Sequence, residues 1–213
     1  MGRETEIKLR VGDLLALRKA LKRLGARMVS GGMRRVHEWN TAFDTPDGEL
    51  RRRGQLLRIR KERPVDADGK LQGKTQRVTL TFKKPTRGAR KKEDTSRAHK
   101  VREEMEMQVT DGDALTRIIE QLGMRVWFRY EKFRTTFRLP DKGWAAGLLI
   151  ELDETPIGTF VELEGPANAI DRTATALGFS SRDYITANYF VLYRDECLRR
   201  DIEPSDMVFA NAK

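Results

Sequence analysis

Charged and apolar positions alternate with a period of two along the first segment of the chain, residues 3–11. Successive side chains of a β-strand point to opposite faces. The segment therefore predicts a strand with one charged face and one apolar face. The charged positions are Glu4, Glu6, Lys8 and Arg10, and the apolar positions are Ile7, Leu9 and Val11. Seven further strand candidates follow, at 35–44, 55–62, 77–85, 99–109, 125–139, 145–153 and 158–164.

Four other segments have the apolar spacing of amphipathic helices, and they lie at 12–25, 111–123, about 166–177 and about 182–200. Most connections between the strand candidates are short, which indicates a largely antiparallel sheet. Eight such strands can close into a barrel. The sequence thus predicts an α+β fold, a closed eight-stranded antiparallel β-barrel with flanking helices. We expect one domain over residues 1–213, with a tail from about 201 to 213.

The strand parities predict that the charged faces line the interior of this barrel. For any single strand, a solvent-exposed polar face explains the alternation better than a charged interior does. The pattern recurs in six or seven strands, however, and the flanking helices need apolar surfaces on which to pack. The predicted interior residues are Glu4, Glu6, Lys8, Arg10, Arg58, Arg60, Lys83, Arg102, Glu104, Glu106, Lys132, Arg134, Asp153, Glu162 and Glu164.

The overall charge favours an anionic partner. The chain of 213 residues carries a formal net charge of +10 at pH 7. A nucleic-acid surface would gather Lys and Arg on an exposed helix or stripe, whereas many cations here alternate with carboxylates within the strand candidates. We therefore expect a phosphate-rich small molecule as the ligand and no specific nucleic-acid partner.

Several common classes of protein are disfavoured by the composition. The single cysteine, Cys197, excludes an internal disulfide framework and a Cys-based zinc site. No apolar run approaches the length of a membrane span, so no membrane association is expected. Arg3, Glu4 and Glu6 fall where a signal peptide would be apolar. These features lead us to expect a cytoplasmic protein.

The interior residues also belong to an ordered series of motifs. The series is Glu4-x-Glu6-x-Lys8, Asn40-Thr41-Ala42-Phe43-Asp44-Thr45 with Leu50, Leu57-Arg58-Ile59-Arg60, Thr81-Phe82-Lys83, Arg102-x-Glu104-x-Glu106, Lys132-x-Arg134, Asp153 and Gly158-Thr159-Phe160-Val161-Glu162-Leu163-Glu164. It resembles the CYTH superfamily, the triphosphate tunnel metalloenzymes, over about residues 3–195. The resemblance implies an eight-stranded barrel around a charged tunnel that takes a triphosphate-bearing small molecule and a divalent metal.

The resemblance also implies roles for the interior residues, and their chemistry fits these roles. Arginine and lysine donate to phosphate oxygens, and hard divalent cations prefer carboxylate ligands. The expected substrate-binding residues are Lys8, Arg58, Arg60, Lys83, Lys132 and Arg134. The expected ligands for Mg²⁺ or Mn²⁺ are Glu4, Glu6, Asp153, Glu162 and Glu164. Catalysis is expected to involve Lys8, Glu6 and Glu162, with Lys8 either binding phosphate or accepting a proton. Ion pairs that hold the tunnel open are an alternative role for Arg102, Glu104 and Glu106.

Three functions compete at this point. The first is metal-dependent hydrolysis of inorganic triphosphate, thiamine triphosphate or short polyphosphate. The second is class IV adenylyl cyclase activity, which makes cyclic AMP from ATP. Cyclase-type members often carry His-Phe before the first motif, where this sequence has Gly2-Arg3, and this favours hydrolysis. The third is a non-catalytic polyphosphate-binding module, which the retained acidic pairs disfavour. Dimers occur in the family, so a homodimer is an open expectation.

Overall fold

The chain folds around a closed antiparallel β-barrel. The computed structural model describes residues 2–29, 34–73, 76–86 and 99–210. Nine strands lie in these ranges: β1 (Gly2–Arg10), β2 (Arg27–Met28), β3 (Arg35–Asp44), β4 (Leu56–Pro64), β5 (Arg77–Pro85), β6 (Lys100–Gln108), β7 (Arg125–Arg138), β8 (Leu149–Thr155) and β9 (Gly158–Glu164). Eight of them form a ring in the order β7-β3-β4-β5-β6-β1-β9-β8, and β7 pairs with β8 to close it. The predicted barrel is therefore confirmed, and β2 is an extra strand on the edge of β7.

Five α-helices surround the barrel within the described ranges. They are α1 (Leu14–Leu24), α2 (Glu49–Arg52), α3 (Gly112–Gln121), α4 (Ala167–Ala176) and α5 (Tyr189–Arg200). Asp13 caps α1 by accepting a hydrogen bond from the backbone of Ala16, and Gly25 ends the helix with a left-handed conformation. In the described part of the chain, no helix has both the length and the apolar character needed to cross a membrane.

The main hydrophobic core lies outside the barrel, between its wall and the helices. Ile7 and Leu9 of β1 are fully buried in this core, together with Leu17 of α1 and Ile170 of α4. Because neighbouring residues of a strand face opposite sides, packing Ile7 and Leu9 outward turns Glu6 and Lys8 into the barrel. The predicted inversion, with apolar faces outward and charged faces inward, is what the structure has.

Some predicted boundaries were wrong because tertiary pairing overrides local pattern. The last helix begins at Tyr189 rather than near 182, since the backbone of Ile185 instead pairs with that of Lys8. The strand predicted from 145 begins at Leu149, after a short 3-10 turn at Gly143–Ala145. The helix α2 and the strand β2 were not predicted. Most of the charged loop predicted at 86–98, and the predicted loop at Gly31-Gly32, lie outside the described residues.

Candidate active site

The barrel encloses a cavity of about 460 Å³, which we call the tunnel. Most of the predicted interior residues line it. They are Glu4, Glu6, Lys8, Arg58, Arg60, Lys83, Arg102, Glu104, Glu106, Lys132, Arg134, Glu162 and Glu164. Asp153 is fully buried in the wall, where it contacts the tunnel cations. The interior placement of Arg10 was wrong. Its side chain is exposed and its guanidinium lies 4.7 Å from the ring centre of Phe160.

The strand β4 supplies two arginines to the tunnel, with Leu57 and Ile59 on its other face. Arg58 donates hydrogen bonds to the hydroxyls of Tyr130 and Thr81, both at 3.2 Å. Arg60 lies 3.3 Å from Glu106 and 3.8 Å from Glu38. Arg58 donates to neutral hydroxyls, and the carboxylates near Arg60 lie at 3.3 and 3.8 Å. Both guanidinium groups therefore retain N–H donors for an incoming anion.

A second group of cations is held by carboxylates of β8 and β9. Arg134 donates to both oxygens of Asp153 at 2.7 Å and to Glu162 at 2.6 Å. Lys132 donates to Asp153 at 2.7 Å, and the buried hydroxyl of Tyr189 donates to the same carboxylate at 2.7 Å. The carboxylate of Asp153 is therefore engaged by cations and a hydroxyl, and its predicted role as a metal ligand stays a prediction.

Lys8 lies between two carboxylates in the tunnel wall. Its Nζ is 3.2 Å from Glu162 and 3.5 Å from Glu6. Burial alone would lower the pKa of Lys8, but Glu162 and Glu6 outweigh burial and raise the pKa above its usual value. Lys8 is consequently a fixed positive charge at neutral pH. This favours phosphate binding over proton acceptance, the alternative that the sequence left open.

Three carboxylates, those of Glu6, Glu162 and Glu164, lie together where β1 meets β9. Glu6 and Glu164 are directly opposite partners in that strand pair, a position that brings side chains close together. Burial, followed by the proximity of Glu4, raises the pKa of Glu164 to about 7. Among the described residues, the buried Oε2 of Glu4 has no hydrogen-bond partner. Crowded carboxylates with an unpartnered oxygen fit a hard divalent cation, which takes oxygen ligands.

These carboxylates do not yet form a ligand set. In the described ranges, no three acidic or other metal-binding side chains converge in a geometry suited to a metal ion. Glu4 instead accepts a hydrogen bond from Lys83 at 2.6 Å, and Glu6 accepts one from Lys100 at 2.8 Å. A metal would have to displace these ammonium groups from the carboxylates.

Arg102, Glu104 and Glu106, for which ion pairing was the alternative role, do form ion pairs in the tunnel wall. Arg102 is 3.5 Å from Glu6 and 3.8 Å from Glu4. Glu104 is 3.0 Å from Lys83, and Glu106 accepts a hydrogen bond from Thr81 at 2.8 Å in addition to its contact with Arg60. Their place in the wall is thus clear, and their functional role stays a prediction.

Sequence reasoning missed Glu38, which lies at the centre of the cation group. It is fully buried, and its oxygens are 3.6 Å from Lys132, 3.6 Å from Arg134 and 3.8 Å from Arg60. The alternation of side chains along β3 could have predicted this position, because Glu38 shares its face with Asn40 and Ala42. In the structure Glu38 pairs with Lys132 of β7. The tunnel residues Lys100, Tyr130, Glu151 and Tyr189 were also missed.

The comparison with family models finds a match to the CYTH domain over residues 2–177. The chain belongs to the CYTH family. The resemblance stated from the motifs is thereby confirmed, and the fold agrees with it. CYTH proteins are triphosphate-directed enzymes, and the family is one of metalloenzymes. A comparison with curated proteins finds no significant match.

Several solved structures have the same fold. A putative adenylate cyclase from Vibrio parahaemolyticus is 19% identical with a TM-score of 0.64, covering 92% of this chain and 97% of its own. A protein from Pyrococcus horikoshii is 20% identical with a TM-score of 0.66, covering 91% of this chain and 99% of its own. A putative adenylyl cyclase from Hippeastrum, described as having a dominant triphosphatase activity, is 20% identical with a TM-score of 0.52, covering 91% and 96%. At these levels of sequence identity, the similarity between this CYTH protein and the three structures shows a shared fold and nothing further.

Proposed function

We propose that this CYTH protein hydrolyses a triphosphate substrate in its tunnel with the help of Mg²⁺ or Mn²⁺. The observation that carries the proposal is that one cavity holds both clustered cations and clustered carboxylates, each set paired in part with charges of the opposite sign. Arginines and lysines of β4 and β7 form one region, and the carboxylates where β1 meets β9 form the other. A polyanion and its divalent counter-cation need these two environments side by side.

The cations bind the phosphate chain. Arg58 and Arg60 lie two residues apart on the inner face of β4, so both can donate to the same phosphate chain with planar two-point contacts. Lys8 remains charged beside Glu162 and stabilises negative charge that develops on the transferred phosphoryl group. Lys83 and Lys132 extend this surface, and Arg134 is fixed by its carboxylate partners.

The carboxylates supply the metal-binding region. Glu4, Glu6 and Glu164 fit this role best, because Glu6 lies directly opposite Glu164, and burial followed by the proximity of Glu4 and Glu6 raises the pKa of Glu164. A divalent cation held there would polarise a phosphoryl oxygen and orient or activate water. Glu162 has a positioning role beside these ligands, since its carboxylate contacts both Lys8 and Arg134 and holds them in place. Binding of an anionic substrate would draw Lys83 and Lys100 towards phosphate and free Glu4 and Glu6.

Cyclisation of ATP to cyclic AMP is the second candidate. The tunnel is lined in part by Trp127, Phe128 and Phe190, which favours this reaction because a nucleobase can stack on aromatic rings and inorganic triphosphate cannot. The two reactions differ in their products. Metal-supplemented assays of inorganic triphosphate, thiamine triphosphate, ATP and short polyphosphate, scored separately for phosphate and cyclic AMP, distinguish them. Formation of cyclic AMP without phosphate release would overturn hydrolysis.

A pair of substitutions tests the division of the tunnel into two regions. Arg58→Ala should weaken triphosphate binding about tenfold to a hundredfold, since one charge-assisted contact contributes about 1.5–3 kcal/mol. Glu164→Gln should abolish metal-supported turnover and keep triphosphate binding in EDTA. Calorimetric titrations with Mn²⁺ and with inorganic triphosphate measure both effects.

The control for this experiment is Arg199→Ala, which removes an exposed arginine of α5 that pairs with Glu196 outside the tunnel. It should change neither affinity. Full activity in excess chelator would refute metal dependence. Loss of Mn²⁺ binding with unchanged triphosphate binding in Arg58→Ala would show that the assignment of β4 to phosphate is wrong.

A further inference from the structure

Glu38 is a buried charge without a hydrogen bond. Its side chain is fully buried, and neither carboxylate oxygen has a hydrogen-bond partner among the described residues. Burying an ionised carboxylate is costly unless hydrogen bonds and opposite charges compensate for the lost hydration. The phosphate-binding and metal-binding roles proposed above do not use Glu38. A carboxylate in this position therefore needs another explanation.

Three cations from the two neighbouring strands surround Glu38. Its strand β3 lies between β7, which carries Lys132 and Arg134, and β4, which carries Arg60. The carboxylate oxygens are 3.6 Å from the Nζ of Lys132, 3.6 Å from the Nε of Arg134 and 3.8 Å from the Nη1 of Arg60. Burial alone would raise the pKa of Glu38, but these cations outweigh burial and lower the pKa well below its usual value. Glu38 is consequently ionised at neutral pH.

The contacts of Glu38 differ in kind from those of Asp153. Asp153 accepts hydrogen bonds at 2.7 Å from Lys132 and from Arg134, and these bonds fix the direction of the donors. The contacts of Glu38, at 3.6–3.8 Å, are too long for hydrogen bonds. Coulomb attraction falls off only slowly with distance in a buried site. Glu38 therefore attracts the three cations without occupying their N–H groups.

The charge of Glu38 also reaches an anion bound by these cations. A phosphate oxygen that accepts a hydrogen bond from Lys132 or Arg60 would lie within about 7 Å of the Glu38 carboxylate, because each of these cations is itself close to Glu38. Two negative charges at that separation repel each other appreciably in a buried site. Glu38 must therefore weaken the binding of phosphate while it holds the cations together.

We propose that Glu38 sets the phosphate affinity of the tunnel. Its charge offsets the mutual repulsion of Arg60, Lys132 and Arg134 and leaves their donors available for substrate. Its repulsion of the bound anion keeps the affinity low enough for phosphate products to leave. Glu38 is a positioning residue in this scheme, since the cations and not Glu38 contact the phosphate. The inference deepens the proposed function and rests on it.

Calorimetric titrations in EDTA test this inference without turnover. The probes are inorganic triphosphate and inorganic phosphate. Glu38→Gln removes the charge and keeps the shape of the side chain. It should tighten triphosphate binding about tenfold, because a buried charge near the ligand acts through a low effective dielectric. The gain should be smaller for phosphate, which carries fewer charges. A purely structural role of Glu38 predicts the opposite sign, a loss of affinity for both probes.

Asn40 allows the charge to be moved instead of removed. It follows Glu38 by two residues on the inner face of β3 and is fully buried, and its side-chain amide has no hydrogen-bond partner among the described residues. Asn40→Asp adds a second carboxylate to the wall and should weaken triphosphate binding about tenfold. The double variant Glu38→Gln/Asn40→Asp restores the original number of charges and should bring the affinity back towards that of the wild type. Asn40→Asp alone decides the matter if Glu38→Gln does not fold.

Glu131→Gln is the matched control, because Glu131 is equally buried but lies on the outer face of β7, where it contacts His37 and the backbone of Phe209. It should leave both affinities unchanged. Equal or weaker triphosphate binding in Glu38→Gln, or unchanged binding in Asn40→Asp, overturns the inference and leaves the proposed function intact. A wild-type protein that binds neither probe refutes the proposed function itself.

Discussion

At the scale of single residues, Asp153 of β8 joins two other elements, β7 and α5. Its carboxylate accepts hydrogen bonds from Lys132 and Arg134 of β7 and from Tyr189 of α5. A fully buried carboxylate is tolerated only when its charge and its lone pairs are satisfied. Asp153 therefore fixes the two cations in the wall and ties α5 to the barrel with a single hydroxyl.

Tyr189→Phe tests this tie. Removing the hydroxyl should lower the free energy of unfolding by about 1–2 kcal/mol, because a hydrogen bond to a charged group is lost while the other donors to Asp153 remain. The measurement is a urea titration. Tyr184→Phe is the control, since its hydroxyl donates to the exposed Asp171 at 3.0 Å and should matter less. Equal losses in the two variants would contradict the role given to Asp153.

At the scale of elements, the C-terminal segment around Met207 pairs with β7. Met207 pairs with Tyr130 in a parallel bridge, and its side chain is fully buried beside Phe128 and Tyr189. Glu131, buried on the outer side of β7, accepts hydrogen bonds from the backbone of Phe209 at 2.6 Å and lies 2.6 Å from His37. The predicted tail thus contributes a core side chain to the end of the barrel where α5 packs.

Met207→Ala should therefore destabilise the protein by about 2–5 kcal/mol, as do other truncations of fully buried large side chains. Met107→Ala is a matched control, because Met107 of β6 is 60% exposed and its truncation should change stability by no more than about 0.5 kcal/mol. Chemical denaturation of both variants measures the difference. A loss of less than 1 kcal/mol for Met207→Ala would show that the segment is not part of the core.

At the scale of the whole molecule, the barrel concentrates charge that its ion pairs do not fully balance. Glu151 of β8 lies opposite Glu162 of β9 and is buried. Burial raises the pKa of Glu151 to about 8, and Glu162 adds to the rise while Arg134 opposes it. In the unfolded chain the same carboxyl has an ordinary pKa near 4.3. The folded state therefore holds one more proton than the unfolded state between these two values.

The sign of the pH dependence follows from this extra proton. The contribution of Glu151 to stability is complete below about pH 4 and is lost as the pH rises towards 8. Glu151→Gln cannot ionise, so it should gain stability relative to the wild type as the pH rises from 5 to 9. The difference between the two thermal midpoints, measured at several pH values, gives the effect. A difference that is constant with pH would refute it.

The sequence by itself determined the inverted barrel and most of its lining. Strand alternation is local, so the outward Ile7 and Leu9 fix the inward direction of Glu6 and Lys8 wherever β1 is placed. The same logic places Arg58, Arg60, Lys132 and Arg134 in one cavity. The family motifs then connect these residues to triphosphate chemistry, and the family match is confirmed.

The tertiary structure alone decided which charges meet and where the regular pattern breaks. The opposition of Glu6 and Glu164 depends on the register of two strands that are far apart in the sequence. The bulge at Trp127 of β7 depends on how β7 pairs with β3, and the late start of α5 depends on the bridge between Ile185 and Lys8. Such features are set by long-range pairing energies, which residue periodicity does not encode, whereas the direction of each strand residue is set by the local backbone.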